Sequence, residues 1–146
     1  MIVKWWEEIG KFLYVGKKKL LILCDAGGAN GYRRKGWKYE LQERFVSKFQ
    51  IDITICHYPP GTSKWDPIEH RLFSAISINW AGVPLDSIDT MLNLIRNTTN
   101  KSGLTVECFY IGKNYEKGKK YSAEDMERIN IEYWPIVPDL TYTIHP

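Results

Sequence analysis

Two carboxylates stand where their surroundings could do chemistry: Asp25, at the end of the apolar run Leu20-Leu21-Ile22-Leu23-Cys24, and Glu69, within CHYPPGTSKWDPIEHRLF at 56–73. Asp66-Pro67 is a strong helix start, with aspartate as N-cap and proline at the first helical position, where its missing N–H costs nothing. With side chains placed at roughly 100° per residue over 67–80, Ile68, Leu72, Phe73, Ala75, Ile76 and Trp80 fill one apolar arc. Glu69 falls inside that arc rather than with His70, Arg71, Ser74 and Ser77. A carboxylate on the inner side of a helix is costly unless it is paired, protonated or holding a metal. A purely structural role competes: Asp66-x-x-Glu69 has capping-box spacing, and a negative charge in the first turn suits the helix dipole.

Asp25 closes a continuous apolar run of the kind expected in a parallel strand buried on both faces. In open parallel sheets, ligands bind just outside the carboxyl ends of the strands, which is where Asp25 stands. The alternative is a strand-ending aspartate that opens a Gly/Asn turn, since Ala26-Gly27-Gly28-Ala29-Asn30-Gly31 follows. That loop hints at phosphate binding but contains neither GxGxxG nor GxxxxGK[ST].

The elements needed to position these acids are legible as a short α/β unit. Residues 2–14 read as a helix, with Ile2, Trp5 or Trp6, Ile9 and Leu13 near helical spacing. A second helix is predicted over 35–49, with Trp37, Leu41, Phe45 and Phe49 on one side. Ile51, Ile53 and Ile55 alternate with Asp52, Thr54 and Cys56, the period of a half-buried strand that stops at Tyr58-Pro59-Pro60-Gly61. The order helix, strand, helix, strand, helix favours a right-handed parallel crossover. Strands 20–24 and 51–57 are then neighbours, and Asp25 and Glu69 are expected to face each other across one site. Beyond residue 82, a helix is expected over 86–98 and a strand over 104–110. Lys117 to Lys120 reads as a loop, Ser122 as the N-cap of a short helix, and the segment from Trp134-Pro135 and Pro138 onward as an irregular tail.

On these stretches the chain resembles the C-terminal half of a bacterial insertion-sequence DDE transposase, closest to the Rhodopirellula-type transposases, with a ribonuclease H-like, integrase-like fold. The resemblance rests on LLILCDAGGANGYRRKGWKYELQ (20–42), ITICHYPPGTSKWDPIEHRLFSAISINW (53–80) and the tail from VPLDS through NTTNKSGLTVEC to YTIHP. PPGTSKWDPIEHRLF is also similar, more remotely, to the proline-rich loop and helix start of mariner-type transposases. The resemblance implies an α/β fold: a partial ribonuclease H-like domain lacking its first three strands, with a small C-terminal α+β extension. One truncated catalytic domain over 1–146 is expected, with a core at about 1–100 and the extension at about 101–146. Asp25 and Glu69 become the second and third catalytic acids, with 43 residues between them, and ligands of Mg²⁺ or Mn²⁺. DNA, at transposon ends and target, is the implied substrate. The first acid of such a site has no counterpart, because only Glu7 and Glu8 precede Asp25 and both fall in the helix pattern. The resemblance therefore implies a fragment inactive alone, with the missing N-terminal half or a full-length transposase as partner. The alternative is a non-catalytic protein that binds DNA or transposase and regulates transposition.

The basic residues Arg33, Arg34, Lys35 and Lys38 directly follow the proposed site, and with Lys64 they are candidates for phosphate contacts. Lys17–Lys19 and the group Lys113, Lys117, Lys119 and Lys120 form further clusters, and a solvated basic surface is the competing reading of each. His57, Trp65 and His70 are expected to line the site. The net charge of +3 is mild, and an aromatic content of 14% with six tryptophans excludes a disordered chain. Three cysteines without CxxC spacing suit a reducing compartment and exclude a four-ligand zinc site. Cys24 beside His57, with Asp25 as orienting acid, permits a cysteine nucleophile, although cysteines at apolar strand ends are ordinarily core. No signal peptide or long apolar span is present, so a cytoplasmic location without membrane contact is expected.

Overall fold

A computed structural model describes residues 1–112 and 118–146. They form two compact units, one of residues 1–61 and 118–146 and the other of residues 62–117. Within the first unit, helix α1 (residues 2–13) leads to strand β1 (Lys19–Cys24). Helix α2 (residues 35–49) then leads to β2 (Asp52–His57), and after the second unit come β3 (Ile131–Tyr133) and β4 (Thr141–Ile144). The sheet order is β1-β2-β4-β3. β1 and β2 run parallel, pairing Leu20 with Ile53, Ile22 with Ile55 and Cys24 with His57. β4 is antiparallel to both β2 and β3.

The parallel β1–α2–β2 unit and its α/β class are as the sequence predicts, and the two carboxyl-terminal strands are not. The segment from Trp134 onward was expected to be an irregular tail, yet it supplies β4, and with β3, just before it and equally unforeseen, makes half of the sheet. These strands are only three and four residues long and lie on either side of Pro135 and Pro138, so no alternation is long enough to read. The alternating run at 104–110 forms no strand. Lys113 and Lys117, and with Lys117 the start of the loop expected to run to Lys120, lie outside the described residues.

One face of the sheet carries the core. Ile53, Ile55, Tyr142 and Ile144 are fully buried against Phe45 and Val46 of α2 and Trp6 of α1. Leu41 and Phe45 follow the predicted four-residue spacing of α2, and Trp37 and Phe49 pack partly buried against the same cluster. In α1 the inward positions differ from the predicted ones: Trp6 and Gly10 are buried while Ile9 and Leu13 are exposed. Both helices contain a π turn, at Trp6–Gly10 in α1 and at Gln42–Val46 in α2. Gln42, nearly buried, ties α2 to the end of the sheet: its amide donates to the His145 carbonyl and its oxygen accepts from the Asn130 N–H.

The other face is open on β1. Lys19, Leu21 and Leu23 alternate outward, with Leu21 59% and Leu23 50% exposed. The expectation of a strand buried on both faces is therefore corrected, since helices α1 and α2 pack on one side only. β1 is also an edge strand among the described residues.

In the second unit, α3 (residues 67–79) begins as predicted. Asp66 Oδ1 accepts from the Ile68 N–H at 3.1 Å, the expected aspartate cap. Helix α4 (Ile88–Arg96) is capped by Ser87, whose hydroxyl accepts from the Thr90 N–H. Back in the first unit, α5 (Ala123–Glu127) starts at Ser122 in a complete capping box with Asp125.

Candidate functional site

The carboxyl ends of β1 and β2 are built around a buried polar chain. Cys24 and His57 are cross-strand partners, both nearly buried, with Cys24 Sγ 3.1 Å from His57 Nδ1. The same Nδ1 lies 3.1 Å from the Asp25 carbonyl oxygen, and Nε2 lies 3.4 Å from the Tyr142 hydroxyl. A carbonyl can only accept, so Nδ1 carries the proton and Nε2 accepts from Tyr142. Burial, helped by the Lys38 charge and opposed by that of Asp25, holds the imidazole below its ordinary range and so neutral. Burial also pushes the Tyr142 phenol far above its ordinary range, so it stays a donor. His57 thus sits beneath the strand end and grips the main chain at Asp25.

This chain of bonds leaves the Asp25 side chain free. It is exposed, and its carboxylate has no hydrogen-bond or ion-pair partner among the described residues. The turn beyond it is a short 3₁₀ segment at Gly28–Asn30, entered through Gly28 at φ 70°, a conformation that favours glycine. Arg34 Nε donates to the Gly28 carbonyl at 3.4 Å, closing the loop under the basic cluster.

Arg33, Arg34 and Lys35 are exposed at and before the start of α2. The Arg33 guanidinium also lies over the Tyr32 ring. Lys38 is half-buried and turned inward, its ammonium 4.7 Å from the Tyr142 ring and 5.1 Å from the Tyr133 ring. Arg33 makes one ring contact, whereas Lys38 makes two and also donates to the Tyr133 hydroxyl. Tyr142, on the unrecognised strand β4, is the residue of this region that sequence reasoning missed.

In the second unit, Glu69 opens a π turn at Glu69–Phe73. It is exposed, as are Ile68 and Phe73, and the inward positions of α3 are Leu72, Ala75, Ile76 and Trp80. The expectation that Glu69 belongs to the buried arc is corrected: the wider turn breaks the angular bookkeeping at that residue. The capping-box alternative fails too, since the Glu69 carboxylate has no hydrogen-bond partner among the described residues, and Asp66 caps alone. Beside it, His70 Nε2 meets the Lys64 carbonyl, and the Lys64 ammonium lies over the exposed Trp65 ring. Asp25 belongs to one unit and Glu69 to the other.

A separate open cavity of about 370 Å³ lies on the uncovered face of the sheet. His145 stands in it between Asp52 and Glu132, with Lys19 and Trp134 on its wall. No three His, Cys, Asp or Glu side chains form a metal-binding group among the described residues. No helix among them is long and apolar enough to cross a membrane.

Comparison with curated proteins and with solved structures returns no match. A family model does match, and it spans residues 1–146, taking in the Asp25 strand end, the Pro59–Glu69 segment and the late strands alike. The match runs along the whole length, and the chain therefore belongs to the Rhodopirellula transposase DDE domain family.

Proposed function

We propose that this chain carries the second and third acids, Asp25 and Glu69, of a metal-dependent site for DNA strand cleavage and transfer. The observation that carries the reading is that both carboxylates are exposed and without hydrogen-bond or ion-pair partners among the described residues. A surface acid that serves as a cap or ion pair would show its partner, whereas a ligand position keeps its oxygens available. Two carboxylates without thiol or imidazole suit a hard cation, Mg²⁺ or Mn²⁺, with water and substrate phosphate completing the shell. When bound, such ions polarise the phosphodiester and activate a water or a DNA 3′-hydroxyl for in-line displacement.

The chain's own residues would do the positioning. His57 and Tyr142 hold the main chain at Asp25, and Asp66 fixes the first turn that presents Glu69. Arg33, Arg34 and Lys35 would hold the DNA backbone by phosphate contacts without reading sequence. Glu7 cannot supply a third acid, because it sits in α1 and pairs with Lys48 at 2.6 Å. In this reading the chain supplies two of the three acids, and cleavage by these residues alone is not expected. The regulatory alternative, a DNA- or transposase-binding role without catalysis, shares the exposed arginines and would leave Asp25 and Glu69 without a ligand.

Paramagnetic broadening of backbone amide resonances by Mn²⁺ tests this reading. Residues 24–28 and 67–71 are expected to broaden together at the same ion concentration, and Asp25→Asn or Glu69→Gln is expected to weaken the effect at both segments. Broadening at one segment alone, or broadening indifferent to both substitutions, would overturn it.

A further inference from the structure

The loop that leads into α3 holds an indole out in solvent. Resting on the reading of Glu69 as a metal ligand, we propose that Trp65 is a stacking platform for an unpaired DNA base next to the phosphate that Glu69 would help to bind. Trp65 is 68% exposed, yet its backbone is tightly held. Its N–H donates to the Thr62 carbonyl at 2.9 Å, closing the 3₁₀ turn Ser63–Trp65. His70 donates from Nε2 to the Lys64 carbonyl, which ties that turn to the start of α3. Asp66, the next residue, caps the helix through the Ile68 N–H, and its carbonyl accepts from the Glu69 N–H at 3.2 Å. Trp65 thus stands immediately before the hydrogen-bonded turn that Glu69 completes, and both side chains are exposed. A ring fixed in place before its partner arrives loses little freedom on stacking.

The charges around the ring match a nucleotide. The Lys64 ammonium lies 5.2 Å from the ring centroid. Arg71, in the first turns of α3, is exposed and has no ion-pair partner among the described residues. An aromatic face for the base, flanked by cations for the phosphates, is the combination that single-stranded nucleic acid requires. These cations favour a polyanion carrying flat rings over an apolar protein surface. Stacking of this kind accepts any base but needs an open base face. Bases inside a duplex have both faces covered by their neighbours. The indole can therefore take only a base at a strand end or one turned out of the helix. Strand transfer from a 3′-hydroxyl works at such an end.

Fluorescence anisotropy with two labelled DNAs tests the proposal on the intact chain: a blunt duplex, and the same duplex with a short unpaired 3′ extension. EDTA is present throughout, so the readout does not depend on whether Asp25 and Glu69 hold an ion. The Mn²⁺ test can fail while the preference for extended DNA stands, and the reverse. The wild-type chain is expected to bind the extended DNA on the order of 10-fold more tightly, the worth of about one stacked base. Trp65→Ala is expected to lose that preference and keep its affinity for the blunt duplex, whereas Trp65→Phe keeps most of it. The wild-type ring gives a second readout, its indole N–H resonance, identified by its absence from the Trp65→Phe spectrum. That resonance is expected to shift upfield with the extended DNA and not with the blunt duplex. Equal binding of the two DNAs, binding of neither, a preference that survives Trp65→Ala, or a loss equal on both DNAs would overturn the proposal. An indole shift on concentrating the protein without DNA would overturn it as well, by assigning the ring to a contact with a second copy of the chain.

Discussion

His145 offers the sharpest test of how the sheet is held. Its Nδ1 lies 3.0 Å from Asp52 Oδ1 and its Nε2 lies 3.2 Å from Glu132 Oε2, so the imidazole bridges β2 and β3 from the residue just after β4. Both nitrogens can donate only when the ring is protonated. The bond to Asp52, with that to Glu132, accordingly holds its pKa above the ordinary histidine value. Because the folded pKa is raised, this contribution is fully present below the unfolded value of about 6.5 and is lost as pH climbs through the folded one. The side chains are partly open, His145 at 34%, Asp52 at 27% and Glu132 at 70%, so solvent screens both pairs. The two together are then worth on the order of 1 kcal/mol rather than the several that buried charged pairs would give. For a chain of this size that is roughly 3 °C in melting temperature. His57 works in the opposite sense, since its lowered pKa makes it a source of instability as pH falls. Thermal melts of wild type and His145→Ala, subtracted at each pH from 5 to 9, remove that background. The difference is expected to be largest at the acid end and to vanish toward pH 9. A difference that is flat, or that grows with pH, would refute the two-carboxylate clamp.

Two further outcomes follow from packing and charge. Phe45 is fully buried and meets Trp6 and Phe49 edge-on or tilted, at ring centroid separations of 5.9 and 5.0 Å. Phe45→Ala is expected to cost about 3–5 kcal/mol, enough to leave much of the chain unfolded by denaturant titration, whereas an unchanged midpoint would mean that the α1–α2 core is not what holds the first unit. For DNA, replacing Arg33, Arg34 and Lys35 together by alanine is expected to flatten the log–log salt dependence of binding by roughly 2 to 3, near 0.9 per phosphate contact. Lys38→Ala is expected to change it little, because its ammonium is engaged with Tyr133 and Tyr142, and a larger effect from Lys38 than from the exposed three would reverse that assignment.

What the sequence disclosed about the fold divides along a physical line. The β1–α2–β2 unit was legible because its signals are redundant: an apolar run, four-residue spacing from Trp37 to Phe49, and strict alternation at Ile51, Ile53 and Ile55, all in local segments of chain. β3 and β4 were not. They gain their place from pairing with distant partners, Ile144 with Ile53 and Tyr142 with Ile55, and a three-residue strand has no period to detect. The same contrast explains β1. Its composition promised burial on both faces, but composition reports what a strand could bury, and covering helices decide what it does bury.

The candidate site shows a different kind of limit. Asp25 was singled out from its place at a strand end and Glu69 from its apparent place inside an apolar arc, and the reasoning for Glu69 rested on a regular helix. The π turn at Glu69–Phe73 removes that premise, since it sets the carboxylate in solvent beside equally exposed Ile68 and Phe73. As a proposal, Glu69 rests on other ground: it sits in the first turn of a helix capped by Asp66, and its carboxylate has no hydrogen-bond partner among the described residues. That is a weaker argument from one residue than from two. Asp25 shows the same idle carboxylate, and it sits on main chain that His57 and Tyr142 hold by buried hydrogen bonds. A turn-forming aspartate bonds its own loop, and among the described residues the Asp25 carboxylate makes no such bond. Pre-organisation of this kind is what a ligand position requires, since a metal ligand already held in place loses less freedom on binding.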